Sequence, residues 1–262
     1  MKYFVFCQSD LVLEKTADGY RIPADSPTPL KPWTTVMNVD GDKAYCIDQP
    51  LVGSDRYEMC ALRQSYYKLS QADYLKAGKC HELLYWDKNT KFCGVCGGPM
   101  RFDTDISKKC EHCGKELWPQ LATAVIVLIR HRWESTASDG TTVSHDEVLL
   151  VHARNFRGDF YGLVAGFVET GESLEEAVHR EVLEETGLHI KNLQYFGSQP
   201  WPYPCGLMVG FTADYDSGRI HLQRSELSKG AWFDRHHLPQ IPEKLSIARQ
   251  LIDAWLATDE QR

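Results

Sequence analysis

No stretch of about 18 apolar residues occurs in this chain, so nothing in it reads as a membrane-spanning helix. Met1 to Asp10 carries one lysine and lacks the long apolar run and small-residue cleavage site of a secretory leader. Positive charge is not in excess either: 29 Lys and Arg stand against 36 Asp and Glu, a net charge of -7. That balance argues against broad attraction to a nucleic-acid backbone, although a local basic groove is compatible with it, and a phosphate ligand would need help from a metal. Internal repeats and low-complexity tracts are absent, which excludes solenoids and biased tails. The expectation is a soluble cytoplasmic protein with no membrane partner.

What the chain does contain is cysteine, nine in 262 residues. An odd count in a chain of this length fits a reducing compartment better than a disulfide scaffold. Cys93 and Cys96, then Cys110 and Cys113, form two CxxC pairs separated by 13 residues. Two such knuckles close a tetrahedral four-thiolate zinc site, with Gly94, Gly97 and Gly114 allowing tight turns and a hairpin through Met100 to Ile106 spanning the interval. A redox role does not suit two adjacent pairs outside a thioredoxin-like context, and four thiolates leave no open position for catalysis. One structural zinc per chain is expected. Cys7, Cys46, Cys60, Cys80 and Cys205 are scattered and read as small buried hydrophobes.

Patterning divides the chain into three segments: a β-rich lobe over 1–88 that ends in a helix, a zinc ribbon over 89–117, and a layered domain over 118–262. Short strands are predicted at Tyr3 to Phe6, Leu11 to Leu13, Val36 to Val39 and Ala44 to Ile47, the last two joined by an Asp40-Gly41-Asp42 turn. Ser70 caps a helix whose apolar stripe is Tyr74, Leu75, Cys80, Leu83 and Leu84. Central strands are expected at Leu121 to Ile129 and Glu147 to His152, with a polar loop between them. Gly162 to Val168 leads into a helix over about Ser173 to Thr186. Strands near Leu193 to Phe196 and Leu207 to Tyr215 follow, then a last helix from about Glu243 to Leu256. The fold class is α+β.

The Ser173 helix carries the chemistry. Ser173 and Glu176 have capping-box spacing, and Gly187 stands where a left-handed cap ends the helix. Leu174 and Val178 mark its inward face, and Glu181 and Glu185 continue that stripe. Two ionised carboxylates facing inward repel each other and cost several kcal/mol to desolvate, so a hard divalent cation such as Mg²⁺ or Mn²⁺ is the economical partner. Without the surrounding residues, a solvated acidic face would be the better explanation of such a cluster.

The surrounding residues decide between the two. Gly166, Glu172, Arg180, Glu181, Glu184, Glu185 and Gly187, with aliphatic Val182 and Leu188, match every fixed position of the Nudix hydrolase signature, and the chain resembles that family. The resemblance implies a C-terminal Nudix α/β/α sandwich with a mixed sheet. It also implies catalytic Mg²⁺ or Mn²⁺ on Glu181, Glu185 and the carbonyl of Ala165, with Glu184 as third candidate and general base. Arg180 becomes an orienting salt-bridge partner, and Glu172 braces the loop onto the helix.

Further on, Gln199-Pro200-Trp201-Pro202-Tyr203-Pro204, followed by Cys205 and Gly206, has alternating prolines that stiffen an extended segment and hold its rings. Read alone, it is either a pocket wall for a planar base or a rigid packed edge. It resembles the aromatic-proline array of the NAD(H) pyrophosphatase branch of the family, whose members also carry the four-cysteine zinc site. Tyr203 replaces that branch's Phe, and Gly206 stands where it has Ser. The branch resemblance further implies a metal-binding Glu226 and substrate contacts at Phe167, Trp118, Ala248, Asp105 and Arg63. The implied activity is hydrolysis of NAD(H) to AMP and nicotinamide mononucleotide by a homodimer, with NAD-capped RNA as a second substrate. The rivals are another diphosphate substrate, such as ADP-ribose or a diadenosine polyphosphate, and a zinc-ribbon protein that only senses a nucleotide or binds nucleic acid.

Overall fold

A computed structural model describes residues 1–156 and 158–259. They divide into two compact units, Met1–Leu121 with Pro200–Gly206, and Ala122–Gln199 with Leu207–Arg262.

The first unit opens with a six-stranded mixed sheet of β1 (Tyr3–Cys7), β2 (Asp10–Thr16), β3 (Gly19–Arg21), β4 (Met37–Val39), β5 (Asp42–Cys46) and β6 (Tyr57–Ala61). β1 lies parallel to β5 and antiparallel to β2, and β6 adds to the other side of β2. Period-two alternation explains the burial: Phe4, Phe6, Leu11 and Leu13 form a core with Ala77, Cys80, Leu83 and Leu84 of the helix α1 (Gln71–Asn89), while Val5, Val12 and Tyr45 fill the opposite face. Ser70 caps α1 by accepting from the Asp73 amide. Leu75, expected on the inward stripe, is exposed, and Ala77 and Gly78 are buried in its stead. Of the scattered cysteines, Cys7, Cys60 and Cys80 are buried as expected, whereas Cys46 is exposed and Cys205 half-buried.

After α1 come the hairpin β7 (Met100–Thr104) and β8 (Ser107–Cys110) and the short β9 (Glu116–Leu117). Lys108 on β8 is only 1 % exposed. Its ammonium meets Asp87 at 2.7 Å and Thr90 O at 3.0 Å, and lies over the rings of Trp86 and Phe102. A buried lysine is tolerated only with such partners.

The second unit contains β10 (Ala122–Thr136), β11 (Thr142–Ala153), β12 (Val164–Phe167), α2 (Leu174–Thr186), β13 (Leu188–Trp201), β14 (Gly206–Gly218), β15 (Leu227–Asp234) and α3 (Ile247–Leu256). The sheet order is β13-β14-β10-β11-β15, with β12 on β10. The apolar run of β10 is explained by cover on both sides: Val125, Val127 and Ile129 pack with Val178 and Val182 of α2, Ile126 and Leu128 with Leu251 and Ile252 of α3. This is the α/β/α sandwich expected. Where a polar loop was predicted after Ile129, both strands continue and pair out to Thr136 and Thr142, because hydrogen bonding along a hairpin needs no apolar side chains. No helix among the described residues is long and apolar enough to cross a membrane.

Candidate active site

α2 is built as its sequence implies. Ser173 and Glu176 form a reciprocal capping box, and Gly187 ends the helix at φ 70°. Val178 and Val182 are fully buried, which turns Glu185 inward to 5 % exposure and leaves Glu181 half-buried and Glu184 exposed.

Arg180 organises the approach to this helix. Its guanidinium donates to Glu172 Oε1 at 2.5 Å and Oε2 at 3.0 Å, to Glu181 at 2.8 Å, to Glu184 at 3.2 Å and to the carbonyl of Phe167 at 2.9 Å. Glu172 in turn accepts from the Glu169 amide at 3.0 Å, so one Arg-Glu pair ties the loop after β12 to the helix. Those bonds hold the Glu172 carboxyl down at about 2, the arginine being the larger cause.

Gly166 permits the closest approach in the site. A Cβ at that position would fall 2.0 Å from Cδ of Glu181, so the β12 backbone and the carboxylate share space that any other residue would fill. Gly166→Ala should displace Glu181 by an ångström or more and lower kcat/KM by about 10²-fold with little change in the circular dichroism spectrum. Wild-type turnover in this variant would show that Glu181 does not need its position.

The carboxylates crowd each other. Burial, then the charges of Glu181 and Glu226 and a carboxyl–carboxyl hydrogen bond with Glu226, pushes Glu185 up to about 8. Burial also raises Glu181, against the pull of Arg180. Glu226 reaches this set from the turn before β15, where Gln223 donates its amide to the Glu185 carbonyl at 2.9 Å. Burial and neighbouring carboxylates oppose the charge of Glu185, a conflict that a divalent cation would remove. Ala165 lies on β12 beside Gly166, and Phe167 is 65 % exposed.

The four cysteines meet as predicted. Their sulfurs all lie within 4.8 Å of one another, with Cys93 and Cys113 at 3.7 Å and Cys96 and Cys110 at 3.5 Å. A tetrahedron of zinc–sulfur bonds has edges of about 3.8 Å, so the cluster fits that ion. Backbone N–H groups of the knuckles lower Cys93, chiefly through Val95, and bring Cys110 to about 6, chiefly through Cys113. Both thiols are thereby biased toward the ligating thiolate.

The aromatic-proline segment is held by two different sets of contacts. Gln199 is held within the second unit: its amide donates to Leu245 O at 2.7 Å and its carbonyl accepts from Ile247 N at 2.7 Å, at the start of α3. These two bonds anchor the segment at the start of α3. Pro200–Gly206 belongs with the first unit, where Arg63 stacks on Trp201 at 5.3 Å and Trp201 meets Tyr203 edge-on at 5.1 Å. Trp118, just past β9, is 53 % exposed. Asp105 lies at the β7–β8 turn and accepts from Asn38 at 3.1 Å. Ala248 is a buried core residue of α3.

Residues 138–255 match the NUDIX domain model. The chain is 40 % identical over 207 residues to the NAD-capped RNA hydrolase NudC of Haemophilus influenzae (strain PittEE), covering 78 % of this chain and 74 % of that protein. This chain is a Nudix hydrolase. It is also 38 % identical over 214 residues to the NudC of Photorhabdus laumondii subsp. laumondii, covering 81 % of this chain and 76 % of that one. The NudC of Yersinia pestis (strain Pestoides F) matches at 42 % over 178 residues, covering 68 % of this chain and 64 % of that protein. The coverage of these relatives extends the likeness of this Nudix hydrolase well beyond the domain match, and the family is one of metal-dependent hydrolases.

Proposed function

We propose that this Nudix hydrolase adds water across the diphosphate bridge of NAD(H), releasing AMP and nicotinamide mononucleotide, and that it also removes NAD caps from RNA 5′ ends. The observation that carries the reading is the crowded set of Glu181, Glu185 and Glu226 in a chain whose relatives are NudC hydrolases.

Glu181, Glu185, Glu226 and the Ala165 carbonyl would hold Mg²⁺ or Mn²⁺. Such an ion, when bound, neutralises diphosphate charge and makes a coordinated water more acidic. Arg180 keeps Glu181 aligned and secures the loop after β12. Glu184, exposed one residue before Glu185, takes the proton of the attacking water. Zinc at Cys93, Cys96, Cys110 and Cys113 is structural, one per chain. The working form is a cytoplasmic homodimer.

Carboxylates recognise a diphosphate without distinguishing what either end carries, so the choice of a dinucleotide falls to rings. Exposed Phe167 and Trp118, with Trp201 and Tyr203, supply stacking faces. Pro200, Pro202, Pro204, Cys205 and Gly206 shape the segment, with Asp105, Arg63 and Ala248 as further contacts. Losing one stacking partner costs about 1–3 kcal/mol. Phe167→Ala or Trp118→Ala should therefore lower kcat/KM on NAD(H) roughly tenfold to a hundredfold, and far less on a diphosphate substrate lacking a second base. Product analysis on a panel of NAD(H), ADP-ribose, diadenosine polyphosphate and NAD-capped RNA, with Mg²⁺ or Mn²⁺, tests the whole reading. AMP and nicotinamide mononucleotide as the preferred products support it, and preference for ADP-ribose or a diadenosine polyphosphate overturns it.

A further inference from the structure

Along one face of α1, at the i, i+4, i+7 and i+8 positions, stand Tyr74, Gly78, His81 and Glu82, and all four meet the segment Pro202 to Gly206. The Tyr74 hydroxyl lies 3.0 Å from that of Tyr203. Gly78 admits Pro202 against the helix backbone, since a Cβ there would stand 3.0 Å from Pro202 Cγ. His81 Nδ1 is 3.1 Å from the Pro202 carbonyl, which only accepts, so that nitrogen carries the proton and donates. The Gly206 amide donates to the carboxyl of Glu82, whose Oε1 is buried without a partner.

Helix packing alone would ask for apolar residues at these positions. Instead the face presents a gap, a directed donor and an acceptor, each matched to one feature of the segment. Pro202 is buried in the fit, and Trp201, next along the chain, is covered by Arg63. Burial, the larger influence on His81, keeps its ring toward the neutral form, in which Nδ1–H donation is retained by a fixed tautomer.

We propose that this face of α1 sets the conformation of the aromatic-proline segment, with Gly78 and His81 acting as positioning residues for dinucleotide affinity. The inference rests on the reading that the segment contacts the substrate base. It goes further by placing the control of that contact on a helix that precedes the Nudix domain in sequence.

The test is steady-state kinetics on NAD(H) with the full-length, metal-loaded protein. Gly78→Leu, which thrusts a side chain into Pro202, and His81→Ala, which removes the donor, should each raise KM about tenfold while kcat stays within twofold. His81→Asn, whose amide nitrogen can occupy the place of Nδ1, should bring KM back to within about twofold of wild type. The His81 pair carries the test if Gly78→Leu does not fold. Wild-type KM in His81→Ala, a fall in kcat at constant KM, or a loss that His81→Asn does not restore would each overturn the proposal. Trp201→Ala separates this inference from the one beneath it. If Trp201→Ala leaves KM unchanged, the substrate-contact reading of the segment fails; if it raises KM while His81→Ala does not, only the positioning role fails.

Discussion

Glu185→Gln should lower kcat roughly 10³-fold, the rate equivalent of the several kcal/mol that a metal-binding carboxylate contributes to charge stabilisation in the transition state. The change keeps the volume of a side chain that is 5 % exposed and packed at the end of α2, so the fold should be retained. A second readout identifies the cause. Glu185 has its carboxyl raised to about 8 in the metal-free protein, first by burial and then by Glu181 and Glu226. A raised carboxyl favours the folded state fully below its ordinary value near 4.5 and loses that advantage as pH climbs through about 8. The metal-free Gln variant, with no charge to bury, should therefore melt above the wild type at pH 9 and near it at pH 4. Adding Mg²⁺ or Mn²⁺ should raise the melting temperature of the wild type and not that of the variant. Turnover within a fewfold of wild type at saturating metal would remove Glu185 from the ligand set.

Cys110→Ser should release the zinc and lower the melting temperature by roughly 10 °C, since a lost structural zinc site costs several kcal/mol and each is worth about 2–4 °C in a chain of this size. Cys110 is buried, its sulfur 3.5 Å from that of Cys96, and its amide bonds to Lys115 O across the knuckle. The ribbon has little apolar core of its own, only Cys93, Met100 and Cys110 with Leu117 against them. At 10 °C, where the variant remains folded, it should keep most of its kcat, because a closed four-thiolate site takes no part in the chemistry. Elemental analysis of reduced wild-type protein showing less than about half a zinc per chain would refute the assignment.

The parts of the site that were legible in the amino-acid order are those whose partners lie within one or two helical turns. The capping box, the left-handed glycine and the inward Glu185 are local relations that a helical period makes visible. The two cysteine knuckles are local in the same sense. Leu75 shows the limit of that method, because residue type suggested the inward side while Gly78, which has no side chain to bury, occupied it. Gln199 adds a contact that local spacing cannot reveal, since it reaches 46 and 48 positions along the chain to hold the start of α3.

From sequence alone came the α+β class, the carboxylate helix and the four-cysteine cluster, because spacing along a helix or a knuckle is itself a distance in space, while the Nudix sandwich followed from the family resemblance of the same residues. Tertiary structure alone decided how Glu226 meets Glu185, why Gly166 must be glycine, how Lys108 is buried on Asp87, and which face of α1 grips the aromatic-proline segment. Tyr74 and Tyr203 are 129 positions apart, and no periodicity spans such an interval. Contacts of that kind are set by packing and by the need of each buried donor and acceptor for a partner, which only the folded chain can supply.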